Sequence, residues 1–162
     1  MKYFTINEFV ESTKAKQLGI DNTPTETQKA NIIEFVDKLL DPLREAWGNY
    51  CKINNLGTAA LKITSGIRCK ALNKAVGGSD TSSHYRGYAA DIVPYNGKLS
   101  EFKNFCMEWL SDKNFDQFIS EDEKNGIPRW IHIGYKNSTN LFRKQYKYMI
   151  NNKYYTIKRE LF

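Results

Sequence analysis

Apolar positions along the chain follow two different periods, and the change from one to the other divides it. Over the first third the spacing is helical. Phe4-Thr5-Ile6-Asn7-Glu8-Phe9 combines a capping box, Thr5 with Glu8, and a hydrophobic staple, Phe4 with Phe9. Together they predict a short helix from about Ile6 to Ser12. Thr23-Pro24-Thr25-Glu26 carries a second start signal, with Thr23 as N-cap, Pro24 at the first helical position and Glu26 completing the box. Behind it Ile32, Val36, Leu39, Leu40, Leu43 and Trp47 recur at helical spacing as a core-facing stripe, with Pro42 expected to kink or restart the helix.

From Leu61 onward short alternating or β-branched runs take over. Leu61 to Thr64, Tyr88 to Val93, Phe115 to Ser120 and Trp130 to Ile133 read as strands. Gln145 to Ile150 and Lys153 to Ile157 flank Asn151-Asn152, the composition of a two-residue hairpin turn. Two helices are interspersed: Cys69 to Val76, ended by Gly77-Gly78, and Glu101 to Leu110, with Phe102, Phe105, Cys106 and Trp109 on one face. Helices first and strands later predict an α+β class, a small antiparallel sheet with N-terminal and flanking helices. No repeat, low-complexity run or linker breaks the sequence. One domain over 1–162 is expected, with a helical leader, 1–58, packed on a part spanning 59–162 that carries the chemistry.

Composition narrows this picture only a little. Apolar residues make up 41% and charged residues 26%, the balance of a globular chain able to bury a core. No stretch approaches the roughly 18 apolar residues of a membrane span, and Met-Lys-Tyr-Phe-Thr-Ile-Asn-Glu lacks the apolar run of a signal peptide. Cys51, Cys69 and Cys106 are odd in number and have no paired spacing, so they read as small buried thiols. The formal charge of +6 favours anionic partners. Lysines and arginines are nevertheless scattered without a dense run, which is the pattern of a solvated surface.

The two histidines change the picture. His84 lies in Ser82-Ser83-His84-Tyr85-Arg86-Gly87, and His132 in Trp130-Ile131-His132-Ile133. Asp91 opens the apolar run Asp91-Ile92-Val93 directly after Ala89 and Ala90, where a carboxylate is costly unless paired or bound to a metal. Side chains alternate along a strand, so Trp130 and His132 share one face while Ile131 and Ile133 take the other. Two strands of one sheet would bring Asp91 and His132 together, and His84, on the loop entering the first strand, would close the set. Two imidazoles and a carboxylate with a fourth position open form the layout of a catalytic zinc site.

An ordered series of motifs carries a resemblance: Ser65-Gly66-Ile67-Arg68 through Gly77-Gly78-Ser79, then Ser82-x-His84, Gly87, Ala89-Ala90-Asp91-Ile92, Phe115-Asp116-Gln117-Phe118-Ile119-x-Glu121 and Trp130-Ile131-His132-Ile133. Spanning about residues 60 to 135, it resembles the zinc D-Ala-D-Ala carboxypeptidases and L-alanyl-D-glutamate endopeptidases of cell-wall metabolism and phage lysis. The helical leader, with Asp21-Asn22-Thr23-Pro24 and Asp41-Pro42-Leu43-Arg44, is similar to short phage or prophage members.

The resemblance implies the Hedgehog/DD-peptidase fold and one Zn2+ per chain on His84, Asp91 and His132. It implies Arg68 as the partner of a substrate carboxylate or oxyanion, and Ser82 as a further substrate contact. Ser83 departs from the glutamine common at that position, a change expected to alter substrate contacts. Many relatives place an acidic residue three positions before the last histidine, where this chain has Arg129. Glu121 is the substitute as general base, with Asp116, Asp122 and Glu123 as alternatives.

The implied activity is hydrolysis of peptidoglycan stem peptides, as in an endolysin, by a monomer made in the cytoplasm without a signal peptide. Such a protein acts on the cell wall after release or on a phage particle. A zinc-containing binding module of the same fold, catalytically weak, is the alternative. A nucleic-acid binder would need neither histidine, so no specific nucleic-acid partner is expected.

Overall fold

The computed structural model describes residues 1–158. Capping chemistry sets the leader. Thr5 and Glu8 form the predicted capping box on α1 (Ile6–Val10), which stops short of Ser12 because Ser12 itself caps a second helix, α2 (Thr13–Leu18), closed by Gly19 in the left-handed conformation. The next start shifts by two residues. Thr23 spends its amide and hydroxyl protons on Asp21, at 2.9 and 2.6 Å, in a turn that precedes the helix. Thr25 is therefore the N-cap of α3 (Glu26–Phe35), with Gln28 reciprocating. A π-helical turn, Val36–Leu40, joins α3 to α4 (Asp41–Ile53). Pro42 lacks an amide proton, and the ladder lengthens just before it, with the Asp41 amide reaching back to the Val36 carbonyl.

Six strands make one sheet in the order β1-β2-β4-β3-β5-β6: β1 (Leu61–Ser65), β2 (Ala89–Pro94), β3 (Gln117–Glu121), β4 (Trp130–Gly134), β5 (Gln145–Ile150) and β6 (Lys153–Thr156). All neighbours are antiparallel except β3 and β5, which run parallel, so the expected antiparallel sheet is a mostly antiparallel one. Asn151 and Asn152, both at positive φ, form the predicted hairpin turn. Three helices punctuate the strands: α5 (Lys70–Ala75), α6 (Ser83–Arg86) and α7 (Leu99–Trp109).

Alternation gives the sheet two unlike faces. Ala90, Ile92, Phe118, Ile131, Ile133 and Tyr146 enter the core, where they join Phe35, Leu43 and Trp47 of the leader and Phe102 of α7 in one apolar cluster. Trp47 packs edge-on against Phe102 at 5.0 Å between ring centroids. Tyr88 and Tyr135 also belong to this cluster, with the Tyr88 hydroxyl donating to Glu34. Cys51 and Cys106 are buried as expected, whereas Cys69 is half-buried and its Sγ caps α5 by accepting from the Leu72 amide.

The leader presses closely on the chain just beyond β1, at Gly66. A side chain there would place Cβ 2.5 Å from the Cα and carbonyl oxygen of Phe9, so only glycine permits the approach. The next amide, Ile67, donates to that same Phe9 carbonyl at 2.8 Å. Asn22 completes the seam. Its Nδ2 donates to the Val10 and Ile67 carbonyls and its Oδ1 accepts from the Cys69 amide. Substituting Gly66→Ala is expected to destabilise the protein by about 1–3 kcal/mol or more through overpacking. Urea unfolding measures this, and wild-type stability in the variant would mean that α1 yields without cost.

Candidate metal centre

The second face of the sheet is polar, and register sets its arrangement. Asp91 on β2 is directly opposite His132 on β4, and His132 is opposite Ile119 on β3. His84 arrives from outside the sheet. It sits on α6, a single helical turn rather than the expected loop, closed by Gly87 at φ +81°. A Cβ on Gly87 would meet the Gln28 carbonyl of α3 at 2.8 Å, so this glycine supplies both the turn and the close packing that seats α6.

Three donor atoms converge. Asp91 Oδ1 lies 2.9 Å from His132 Nδ1 and 3.3 Å from His84 Nε2, and the two imidazole nitrogens are 3.2 Å apart. Three ligands about 2.0–2.2 Å from a shared tetrahedral centre lie roughly 3.3 Å from one another, so the spacing fits a zinc-sized ion. All three residues are buried, and together they form a group able to hold a metal. His84 is pre-set for the task. Its Nδ1 stands 2.7 Å from the Gly66 carbonyl, which can only accept, so Nδ1 carries the proton and Nε2 presents its lone pair. Burial lowers the pKa of His84, against the pull of Asp91, and keeps the ring neutral as a ligand must be. Burial alone would raise the Asp91 carboxyl, but His84 and His132 outweigh it and hold the group far below the usual carboxylate range.

Around this cluster opens a cleft of about 670 Å³ lined by residues that include Arg68, Ser82, Glu121, Trp130, Arg143, Lys147 and Tyr154. Arg68 reaches Asp91 Oδ2 at 3.4 Å and the Ser65 hydroxyl at 3.2 Å, placing its guanidinium against the donor set. Ser82 flanks α6 at the cleft wall. Ser83 also lines the cleft, yet its hydroxyl donates to the Lys136 carbonyl at 3.2 Å and ties α6 to the chain beyond β4.

The four acidic candidates separate by their partners. Asp116 is fully buried and clamped by Arg143 through two bonds, 2.5 and 2.8 Å. Glu123 receives the Ser120 hydroxyl at 2.5 Å and also Lys103. Asp122 lies 3.5 Å from Arg129. Glu121, at the end of β3, makes no side-chain hydrogen bond to another described residue and borders the cleft. Its backbone carbonyl takes the Arg129 amide at 2.8 Å, the fold-back expected of the 121–129 loop. Burial pushes the Glu121 carboxyl up to about 7, with the Asp91 charge adding to it and His132 opposing.

Sequence reasoning left the cleft's far wall out of the site. Lys147, Met149, Asn152 and Tyr154 come from β5, β6 and their turn. Alternation along Gln145-Tyr-Lys-Tyr-Met groups Lys147 with Met149, but nothing local reveals that β5 docks beside β3.

The arrangement is an α+β fold with a buried His-Asp-His donor set, able to hold a metal ion, at the floor of an open cleft. The chain belongs to the peptidase M15 family, whose sequence profile matches residues 2–133. A search among curated proteins finds no match. No helix among the described residues is long and apolar enough to cross a membrane.

Glu121 leads to a prediction with a definite sign. Below its ordinary value of 4.5 the carboxyl is protonated in folded and unfolded chains alike, and stability is unaffected. Between 4.5 and about 7 the unfolded chain ionises while the folded one keeps its proton, so wild-type stability falls as pH rises. Glutamine never ionises. In chelator-treated protein Glu121→Gln is therefore expected to be more stable than wild type at pH 8 by about 1–2 kcal/mol, after discounting for solvent reaching the cleft. The gap should vanish at pH 4. Thermal unfolding across this range measures it, and equal stability at pH 8 would contradict the assignment.

Proposed function

We propose that the whole chain is one zinc peptidase unit that hydrolyses peptidoglycan stem peptides, with His84, Asp91 and His132 holding the metal. The observation that carries this reading is the 2.9–3.3 Å triangle of donor atoms at the floor of the cleft, in a chain of the M15 peptidase family. When bound, zinc supplies Lewis acidity, which makes water a competent nucleophile near neutral pH.

The chain's own residues do the rest. Glu121 is the general base: its carboxylate accepts a proton from the attacking water and returns it to the leaving amine. A carboxyl held near 7 and in no ion pair with another described residue suits both steps, whereas Asp116, Asp122 and Glu123 are each committed to a cation. Arg68 stabilises the negative charge that develops on the carbonyl oxygen, from a position where its guanidinium already faces the donor set. Ser82 contacts the substrate beside His84. Trp130 shares the His132 face and gives the cleft an aromatic side wall.

Purified peptidoglycan offered to wild type, His132→Ala and Glu121→Gln, with zinc assayed on each protein, tests this. Wild type is expected to hold about one zinc per chain and to release peptides. His132→Ala loses both properties. Glu121→Gln keeps zinc and loses about 10²–10⁴-fold in turnover. Zinc bound by wild type without cleavage would instead identify a binding module, and no zinc in wild type would overturn the metal assignment.

A further inference from the structure

Cations of the cleft differ in how they are neutralised. Arg68 lies against Asp91, and Arg143 is clamped by Asp116. Lys147 also lines the cleft, is half-buried, and has no carboxylate within ion-pair distance among the described residues. Elsewhere Lys103 and Lys136 reach down to Glu123 and Glu34. A partly desolvated ammonium without a counter-charge loses hydration and regains nothing, unless an incoming anion completes it.

Its place in the sheet is definite. Register runs Asp91–His132–Ile119–Lys147 across β2, β4, β3 and β5. Lys147 is thus two strands from His132, about 10 Å at the usual strand spacing, or about three residues of an extended peptide. The adjoining row places Met149 opposite Tyr154, and both line the same cleft. This whole wall, residues 145–156, lies beyond the span matched by the family profile.

We propose that the β5–β6 hairpin forms an anion subsite in which Lys147 anchors a carboxylate of the substrate peptide, with Met149 and Tyr154 as its apolar flank. Lys147 is here a specificity-determining residue that touches substrate away from the reacting bond. The inference rests on the peptidase reading for the nature of its ligand.

The test uses the zinc-loaded protein and two probes, the peptide L-Ala–γ-D-Glu–L-Lys–D-Ala–D-Ala with its carboxylates free and the same peptide fully amidated. Binding is read by calorimetry in the Glu121→Gln background, and KM and kcat are read in the wild-type background. Wild type is expected to prefer the carboxylate form. Lys147→Met and Lys147→Gln narrow that preference roughly 10- to 100-fold through Kd and KM. Their kcat stays within about threefold, and Lys147→Arg restores the preference. Two neutral replacements guard against one that misfolds, and thermal unfolding checks both. Preference undiminished in the neutral variants, or absent from wild type, overturns the subsite. Lys147-dependent binding without any cleavage would leave the subsite standing and sink the peptidase reading instead.

Discussion

A buried carboxylate in the middle of a sheet governs this structure. Asp91 occupies a central strand, flanked by alanines and isoleucine, where an uncompensated charge would be prohibitive. Both histidines of the chain and Arg68 are drawn to it. Each comes from a different element, so satisfying one side chain fixes the relative placement of β2, β4, α6 and the loop after β1. Breaking such a buried pairing is far more costly than its formation is stabilising, because the charge left behind has no water to turn to. The cluster is therefore a folding constraint as well as a candidate reaction centre.

The leader contributes to the same end. Phe9 presses on Gly66, Gly66 offers its carbonyl to His84 Nδ1, and His84 Nε2 is thereby aimed at Asp91. Asn22 secures the loop that carries Arg68 from the opposite side. Gly66 is the contact through which a remote helix sets the tautomer of His84, the candidate ligand. The first third of the chain, far from the cleft in sequence, is part of its outer support.

Much of this was legible from residue patterns. Alternation placed Trp130 and His132 on one face, and the burial of Asp91 among alanines marked it as needing partners. The capping signals located helices to within a few residues, failing where two threonines competed, Asp21 engaged Thr23, and Thr25 took the cap. What local pattern cannot carry is strand order. The parallel docking of β5 on β3 depends on the Phe118–Tyr146 contact and the core beneath it, and neither has a signature within ten residues. Hence the donor set was readable from sequence and the far wall of the cleft was not. The ambiguity over the base had the same origin. Four carboxylates within eight positions look alike until their cationic partners, Arg143, Lys103 and Arg129, are seen.

That sorting of charges by partner explains how one cleft combines rigidity with reactivity. Asp116–Arg143 and Glu123–Lys103 are closed pairs that hold β3 to its neighbours and α7, and they have little free energy to offer a ligand. Glu121 and Lys147 face the same space with no ion pair to another described residue, one as a carboxyl held near 7 and one as a half-buried ammonium. Leaving both unpaired destabilises the empty fold, and each regains that loss only when something with complementary charge or a transferable proton enters. Proteins commonly concentrate such strain where they act, because a site already satisfied has nothing left to exchange with its substrate. In the proposed reaction the buried triangle is where the chemistry is centred, and Glu121 and Lys147 beside it set what the substrate must bring.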